Sequence, residues 1–283
     1  MSTHQVFSHI KRCAEIPSFS SYEERLHPYI ESVVKFIPNA RLEKLPVNNL
    51  VVHIPGKKSD KTVVLTAHLD KIDHWGPEAP ATLPFSETED EIEGQLDDTV
   101  GLGICLAIME LAAESDYPNL VILFSEMEES KGMKEHPERL KNKGRDLAHG
   151  QGADELSRYI IEEGIETEAI ITIDTTPLFK GKPGIAMYTN WWDMYKQTPT
   201  DGEVQITEKV SKALLNINPE MTVANNTNDY MIYGRIVNRN SLNPVASIAL
   251  EPAINPYHQI GERVFKKDVL GILELLDEYL KSV

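Results

Sequence analysis

Five side chains stand in this sequence where metal chemistry would need them. His68, Asp97, Glu129, Asp174 and His258 each close an apolar, strand-like run or lie beside the start of a helix-like one. Two imidazoles and three carboxylates form a donor set for a pair of zinc-like divalent cations that share one aspartate. Glu128, beside Glu129, is left over as a proton-transferring base, so the set points to a metal-dependent hydrolase.

Each segment also has an ordinary explanation. In TAHLD the apolar run 61–67 ends at His68, and Asp70 follows where its carboxylate can hold the ring nitrogen turned away from a metal. A buried structural histidine explains that segment equally well. In GQLDDTVGLG an acidic pair follows Gly94 and precedes an apolar helix containing Gly101 and Gly103. A carboxylate there can bridge two cations, and capping of the helix by Asp97 or Asp98 is the alternative. LFSEMEES sets Glu128 and Glu129 just past a buried strand, one for metal and one for the proton of water, against a solvated acidic loop. ITIDTTP ends at Asp174, a residue type that often only forms turns. NPYHQIGERV carries His258 in a proline-flanked loop, with Glu262 near enough to support it, against a surface histidine. The ordinary explanations are independent of one another, whereas the metal reading requires all five residues in this order.

The elements that must position these residues alternate along the chain. Apolar spacing predicts helices over 3–15 and 22–37, the second with Ser20 and Ser21 available as caps ahead of Glu23 and Glu24. Residues 49–54 and 61–67 are β-branched runs separated by PGKKSD, which suits a hairpin or tight connection. Buried strands are expected at 119–125, 169–173 and 245–250, with helices at 99–113, 152–164, 203–216 and 268–281. The fold class is therefore α/β, a mostly parallel mixed central sheet covered by helices on both faces. Its ligand sites lie beyond the carboxyl ends of the strands. Residues 73–94 and 130–152 read as irregular stretches, the latter as a long surface loop.

Composition excludes several classes. The net charge of −16, from 44 acidic and 28 basic residues, argues against nucleic acid as a partner. The two cysteines, Cys13 and Cys105, support neither a disulfide framework nor a cysteine metal site and fit a reducing cytoplasm. No signal-like stretch opens the sequence and no run of 18 apolar residues occurs, so neither export nor membrane insertion is expected.

The segments IPSFSSYEE, TAHLD, LDDTVGLG, EMEES, TIDTTP and PYHQIGE together resemble the co-catalytic dinuclear zinc exopeptidases. That superfamily comprises leucine-type aminopeptidases and related carboxypeptidases and deacylases. The resemblance implies His68 and Asp174 on one ion, Glu129 and His258 on the other, Asp97 bridging, Glu128 as general acid/base and Asp70 as partner of His68. It implies two divalent ions, zinc first, with cobalt or manganese accepted by the same donors. One departure is visible: Ser130 and Lys131 intervene before Gly132, where relatives place glycine two residues after the second glutamate. The gaps from Asp70 to Asp97 and from Asp174 to His258 leave no room for an inserted domain. A single catalytic domain over 1–283 without a separate lid is expected, as a monomer or simple homodimer.

The expected substrate is a small peptide or aminoacyl compound. The alternatives are N-acyl amino acid hydrolysis or cyclisation on the same scaffold, and a non-catalytic metal- or partner-binding protein. Trp191 and Trp192, with Tyr188, either wall a side-chain pocket or belong to the core. Asn228 and Asp229 are further candidates near the site.

Overall fold

A computed structural model describes residues 4–58, 61–129 and 150–283. Helices α1 (His4–Glu15) and α2 (His27–Val34) lead into strands β1 (Arg41–Lys44), β2 (Leu50–Ile54) and β3 (Thr62–His68). Strands β4 (Ser86–Glu87) and β5 (Glu91–Gly94) precede α3 (Thr99–Glu114) and β6 (Asn119–Ser125). Then come α4 (Gln151–Glu162), β7 (Ala169–Ile173), β8 (Ile185–Tyr188), the short α5 (Trp191–Met194), α6 (Asp201–Ile217) and β9 (Thr222–Ala224). The chain closes through α7 (Asp229–Asn240), β10 (Ala246–Pro252), β11 (Ile254–Asn255), β12 (Glu262–Phe265) and α8 (Lys266–Ser282).

Eight strands form one sheet in the order β1-β2-β6-β3-β7-β10-β8-β9, and β11-β12-β5-β4 form a smaller antiparallel one. The four central strands β6, β3, β7 and β10 run parallel. Their Val, Ile and Leu content follows from burial on both faces. Side chains alternate between the two cores: Val63 and Leu65 of β3 pack with the residues of α1, α3 and α8, and Val64 with those of α4 and α7. The α1–α3 contact is close enough that a Cβ on Gly103 would collide with Ile10. Among the described residues no separate lid domain is present, and no helix is long and apolar enough to cross a membrane.

Several expectations need correction. Strands β2 and β3 form no hairpin, because β6 lies between them, antiparallel to β2 and parallel to β3. The stretch 73–94 is not irregular throughout, since it carries β4 and β5. The expected second helix is broken into a 3-10 turn at Glu23–Arg25 and α2, which starts with proline at its first turn and has no side-chain cap. The helix α7 was not legible: Tyr230, Met231, Ile232 and Tyr233 are consecutive apolar residues rather than a stripe. It packs into two clusters at once, Ile232 and Tyr233 into one and Tyr230 and Met231 into another, so it shows no single apolar face. Of the expected loop 130–152, residues 130–149 lie outside the described residues, and Gln151 already begins α4.

Candidate metal centre

Because β6, β3, β7 and β10 are parallel, their carboxyl ends meet at one edge of the sheet. His68 ends β3, Glu126 to Glu129 follow β6, and Asp174 follows β7. Asp97 comes from the turn between β5 and α3, and His258 from the turn between β11 and β12. His68 Nε2 lies 3.3 Å from Asp97 Oδ1 and 3.8 Å from Asp174 Oδ1. His258 Nε2 lies 3.2 Å from Asp97 Oδ2 and 2.9 Å from Glu129 Oε1. Asp97 thus turns its two oxygens toward two different imidazoles. Donor atoms of His68, Asp97 and Asp174 fall within 4.8 Å of one another, as do those of Asp97, Glu129 and His258, and those of His68, Glu128 and Glu129. All are buried except His258, which is half-buried with the Tyr257 ring stacked on it.

Four further buried carboxylates hold the loops that carry these groups. Asp70 Oδ1 accepts the amide of Glu128, and Oδ2 accepts the amide of Glu129 and the Ser20 hydroxyl. His68 Nδ1 is 3.0 Å from the Asp70 main-chain oxygen and 3.4 Å from its carboxylate. Asp70 therefore anchors the tandem glutamates, and its main-chain carbonyl is the nearer partner of the ring. Glu262 Oε2 accepts the amides of Leu96 and Asp97, while Oε1 accepts that of His258, so one side chain ties together two loops far apart in sequence, although burial raises its pKa to about 8. Glu23 Oε1 accepts the amides of Ser21 and of Met127, whose φ of 56° is left-handed. Asp98 caps α3 by accepting the Gly101 amide, and it also accepts that of His68 at 3.3 Å. The serines expected to cap the second helix serve the site instead, Ser20 on Asp70 and Ser21 against Met127 Sδ.

Beneath these loops Lys71 is fully buried, donating to Ser18 Oγ at 2.6 Å and to the Ile16 carbonyl at 3.1 Å. Burial lowers its pKa from 10.5 to about 8, against the opposing pull of Asp70, Glu262 and Asp98. Over that interval the unfolded chain binds more protons than the folded one, so this lysine makes stability rise with pH, by up to about 3 kcal/mol. Lys71→Met is expected to flatten the pH–stability profile between these two values in urea denaturation. An unchanged slope would show that the ammonium carries no such cost.

Burial and mutual repulsion dominate the electrostatics of the centre. Burial pushes Glu128 well above the usual carboxylate range, and Glu129 adds to it. Asp174 is likewise raised by burial and by Asp97. Asp97 is the exception: burial opposes its charge, but His258 and His68 hold it below the ordinary value. Burial works against a charge on His258 as well, yet Asp97 and Glu129 raise its pKa to about 10. Four buried carboxylates thus converge with only two imidazoles to balance them. Such a donor set fits divalent cations, whose charge relieves the repulsion and whose usual ligands are these residue types.

Trp191 and Trp192 are buried, edge to face at 5.7 Å between centroids, in a cluster with Tyr188, Tyr230 and Met231. That burial favours the core alternative for both indoles. Asp229 is buried and accepts the Ser125 hydroxyl at 2.9 Å, just before the glutamate loop, and Asn228 caps α7 and donates to the buried Glu251. Glu251 carries no local signature of a site role, and Ser20 and Glu23 lie within IPSFSSYEE, a segment that resembles the family without singling them out. A cavity of about 910 Å³ lies at the other end of the central strands, lined by Lys61, Ile165 and Val245 among others, and includes none of the candidate ligands.

The family model of Peptidase family M28 matches residues 49–269. No curated protein matches the chain. Among solved structures, an aminopeptidase from the archaeon Desulfurococcus kamchatkensis is 13% identical with a TM-score of 0.68, covering 99% of this chain and 96% of that one. The TET1 peptidase of Pyrococcus horikoshii, which can assemble into a tetrahedron or a large octahedral shell, is 14% identical with a TM-score of 0.66, covering 98% of this chain and 100% of that one. A tripeptidase from Staphylococcus aureus is 12% identical with a TM-score of 0.65, covering 100% of this chain and 98% of that one. At these identities the structures share the fold.

Proposed function

The chain belongs to Peptidase family M28 and is a metal-dependent exopeptidase, and on that premise we propose that it removes residues from the amino ends of small peptides. The observation that carries the reading is Asp97, with one oxygen toward His68 and the other toward His258, and Glu128 beside both clusters. His68 and Asp174 would hold one ion, Glu129 and His258 the other, and Asp97 both, with zinc the first candidate. When bound, the ions supply Lewis acidity toward a carbonyl oxygen and make water more acidic.

The chain's own residues do the rest. Glu128 takes a proton from the attacking water and delivers it to the nitrogen of the leaving amine. Burial favours its protonated form and bound cations its ionised form, so its carboxyl is tuned by opposing effects. Asp70 is a positioning residue, since it grips the amides of Glu128 and Glu129. Excess carboxylates at the centre offer a partner for a free α-amine, and the names of the aminopeptidase and tripeptidase neighbours support the same substrate class.

The reading extends to one catalytic domain over 1–283, acting as a monomer or simple homodimer. Between Asp70 and Asp97 the chain carries a 3-10 turn at Gly76–Glu78, β4 and β5, too little for an inserted assembly domain. The free, buried Cys13 and Cys105 fit a reducing cytoplasm. A panel of aminoacyl anilides and N-acyl amino acids, run with zinc-loaded protein, tests the activity. Hydrolysis of the anilides is expected; cleavage confined to the N-acyl compounds would replace the aminopeptidase reading with a deacylase.

A further inference from the structure

The loop that carries Glu128 and Glu129 is held by side chains from three other parts of the chain. Each of its four amides donates to one of them: Glu126 to Asn49 Oδ1 at 2.9 Å, Met127 to Glu23 Oε1 at 3.2 Å, and Glu128 and Glu129 to the two oxygens of Asp70 at 2.9 Å. One of the four residues is strained. Met127 has a φ of 56°, in the left-handed region that side-chain-bearing residues other than Asn, Asp and His seldom enter. A strand sends successive side chains to opposite faces. Past the turn at Met127, Glu128 and Glu129 instead both bring donor atoms within 4.8 Å of His68 and of each other.

Glu23 meets the strained residue from the 3-10 turn that precedes α2. It is fully buried, and its Oε1 accepts both the Met127 amide and, at 2.9 Å, the Ser21 amide. Ser21 is left-handed as well, with a φ of 73°, and its hydroxyl lies 3.7 Å from Met127 Sδ. One carboxylate oxygen thus binds two left-handed residues from distant parts of the chain. The other oxygen is fixed too, because Asn48 Nδ2 donates to Oε2 at 2.6 Å and the Asn48 carbonyl lies 3.0 Å from His27 Nε2. Burial pushes the Glu23 carboxyl up to about 8. Oε1 can accept in the ionised and the protonated form alike, so the grip does not require the charge.

We propose that Glu23 is a positioning residue for the reaction: by holding the Met127 amide it maintains the left-handed turn that aims the Glu128 carboxyl at the centre. The inference rests on the proposed role of Glu128 as base and deepens it. Strain of this kind persists only where surrounding groups impose it. Without Glu23, Met127 relaxes to negative φ and Glu128 leaves its place, while Asp70 still grips the amides that follow.

Zinc-loaded full-length variants acting on an aminoacyl anilide test the role. Glu23→Ala is expected to lower kcat by about 10–100-fold, the scale of a misplaced catalytic group, with KM nearly unchanged and both ions retained at saturating zinc. Glu23→Gln keeps an acceptor in the same place and should restore most of the rate. Glycine enters the left-handed region without steric cost. Adding Met127→Gly to Glu23→Ala should therefore recover kcat by at least about fivefold, the worth of one left-handed side chain. A role in stability alone predicts the opposite, since loss of the buried Met127 side chain would add a second defect. A crystal structure of Glu23→Ala supplies a readout independent of turnover, and Met127 should show negative φ in it. Should Glu23→Ala fail to fold, Glu23→Asp retains a buried carboxyl that falls one methylene short of the amide, and the same loss, rescue and change of φ are expected of it. Undiminished kcat, no recovery on adding Met127→Gly, or a Met127 that stays left-handed without its partner overturns the role. If metal-replete wild type hydrolyses neither peptides nor N-acyl amino acids, the proposed function fails, and the φ of Met127 in the variant still decides whether Glu23 holds the turn.

Discussion

Asp97→Ala is expected to strip the protein of both metal ions and reduce peptide hydrolysis to background. The reason is its geometry: Oδ1 is 3.3 Å from His68 Nε2 and Oδ2 is 3.2 Å from His258 Nε2, so one side chain serves both clusters. Loss of a group that merely supports a ligand costs about 10–100-fold in metal affinity. Loss of a ligand shared by two ions should exceed that at each. His258→Ala removes a donor from one cluster only and is expected to lose one ion while the other remains. Elemental analysis and titration of the metal-stripped proteins separate the cases. Retention of two ions by Asp97→Ala would remove the bridging role, and failure of replete wild type to carry any ion above background would remove the dinuclear reading itself.

How far these residues are legible in the sequence depends on what places them. His68 and Asp174 follow long apolar runs, and a β-branched run that ends in a polar donor is visible without any structure. Asp97 and His258 sit in turns, and they stand out only because their neighbours, the apolar α3 and the proline-flanked PYH, are distinctive. The groups that hold the loops are harder to see. Glu262 reaches Leu96 across 166 residues of sequence and Asp70 reaches Glu129 across 59, through backbone amides that any residue type provides. A bond to an amide leaves no pattern at its far end. The same holds for sheet order. β2 and β3 are adjacent in sequence and both apolar, yet β6 separates them, because a parallel pairing is set by a crossover and not by a turn. The smaller sheet was invisible for a related reason: its strands have two to four residues and exposed edges, too short for a period of two to show.

The tandem glutamates give the sharpest test of the proposed division between a base, Glu128, and a ligand, Glu129. Both follow β6, both are buried, and Asp70 grips both of their amides at 2.9 Å, so backbone placement does not distinguish them. Their side chains do differ. Glu129 Oε1 is 2.9 Å from His258 Nε2 and joins the cluster of Asp97 and His258, whereas Glu128 joins a cluster only through His68 and Glu129. Glu128→Gln keeps the shape and removes the proton acceptor, so metal content and fold should persist while turnover falls about 10²–10⁴-fold. Glu129→Gln replaces a charged donor by a neutral amide, so metal and activity should fall together, and excess metal should restore part of the activity. Metal stoichiometry and peptide hydrolysis measured side by side decide the matter. If Glu128→Gln sheds metal while Glu129→Gln keeps it, the two roles are exchanged. If neither variant loses activity, the reaction is carried out elsewhere on the molecule.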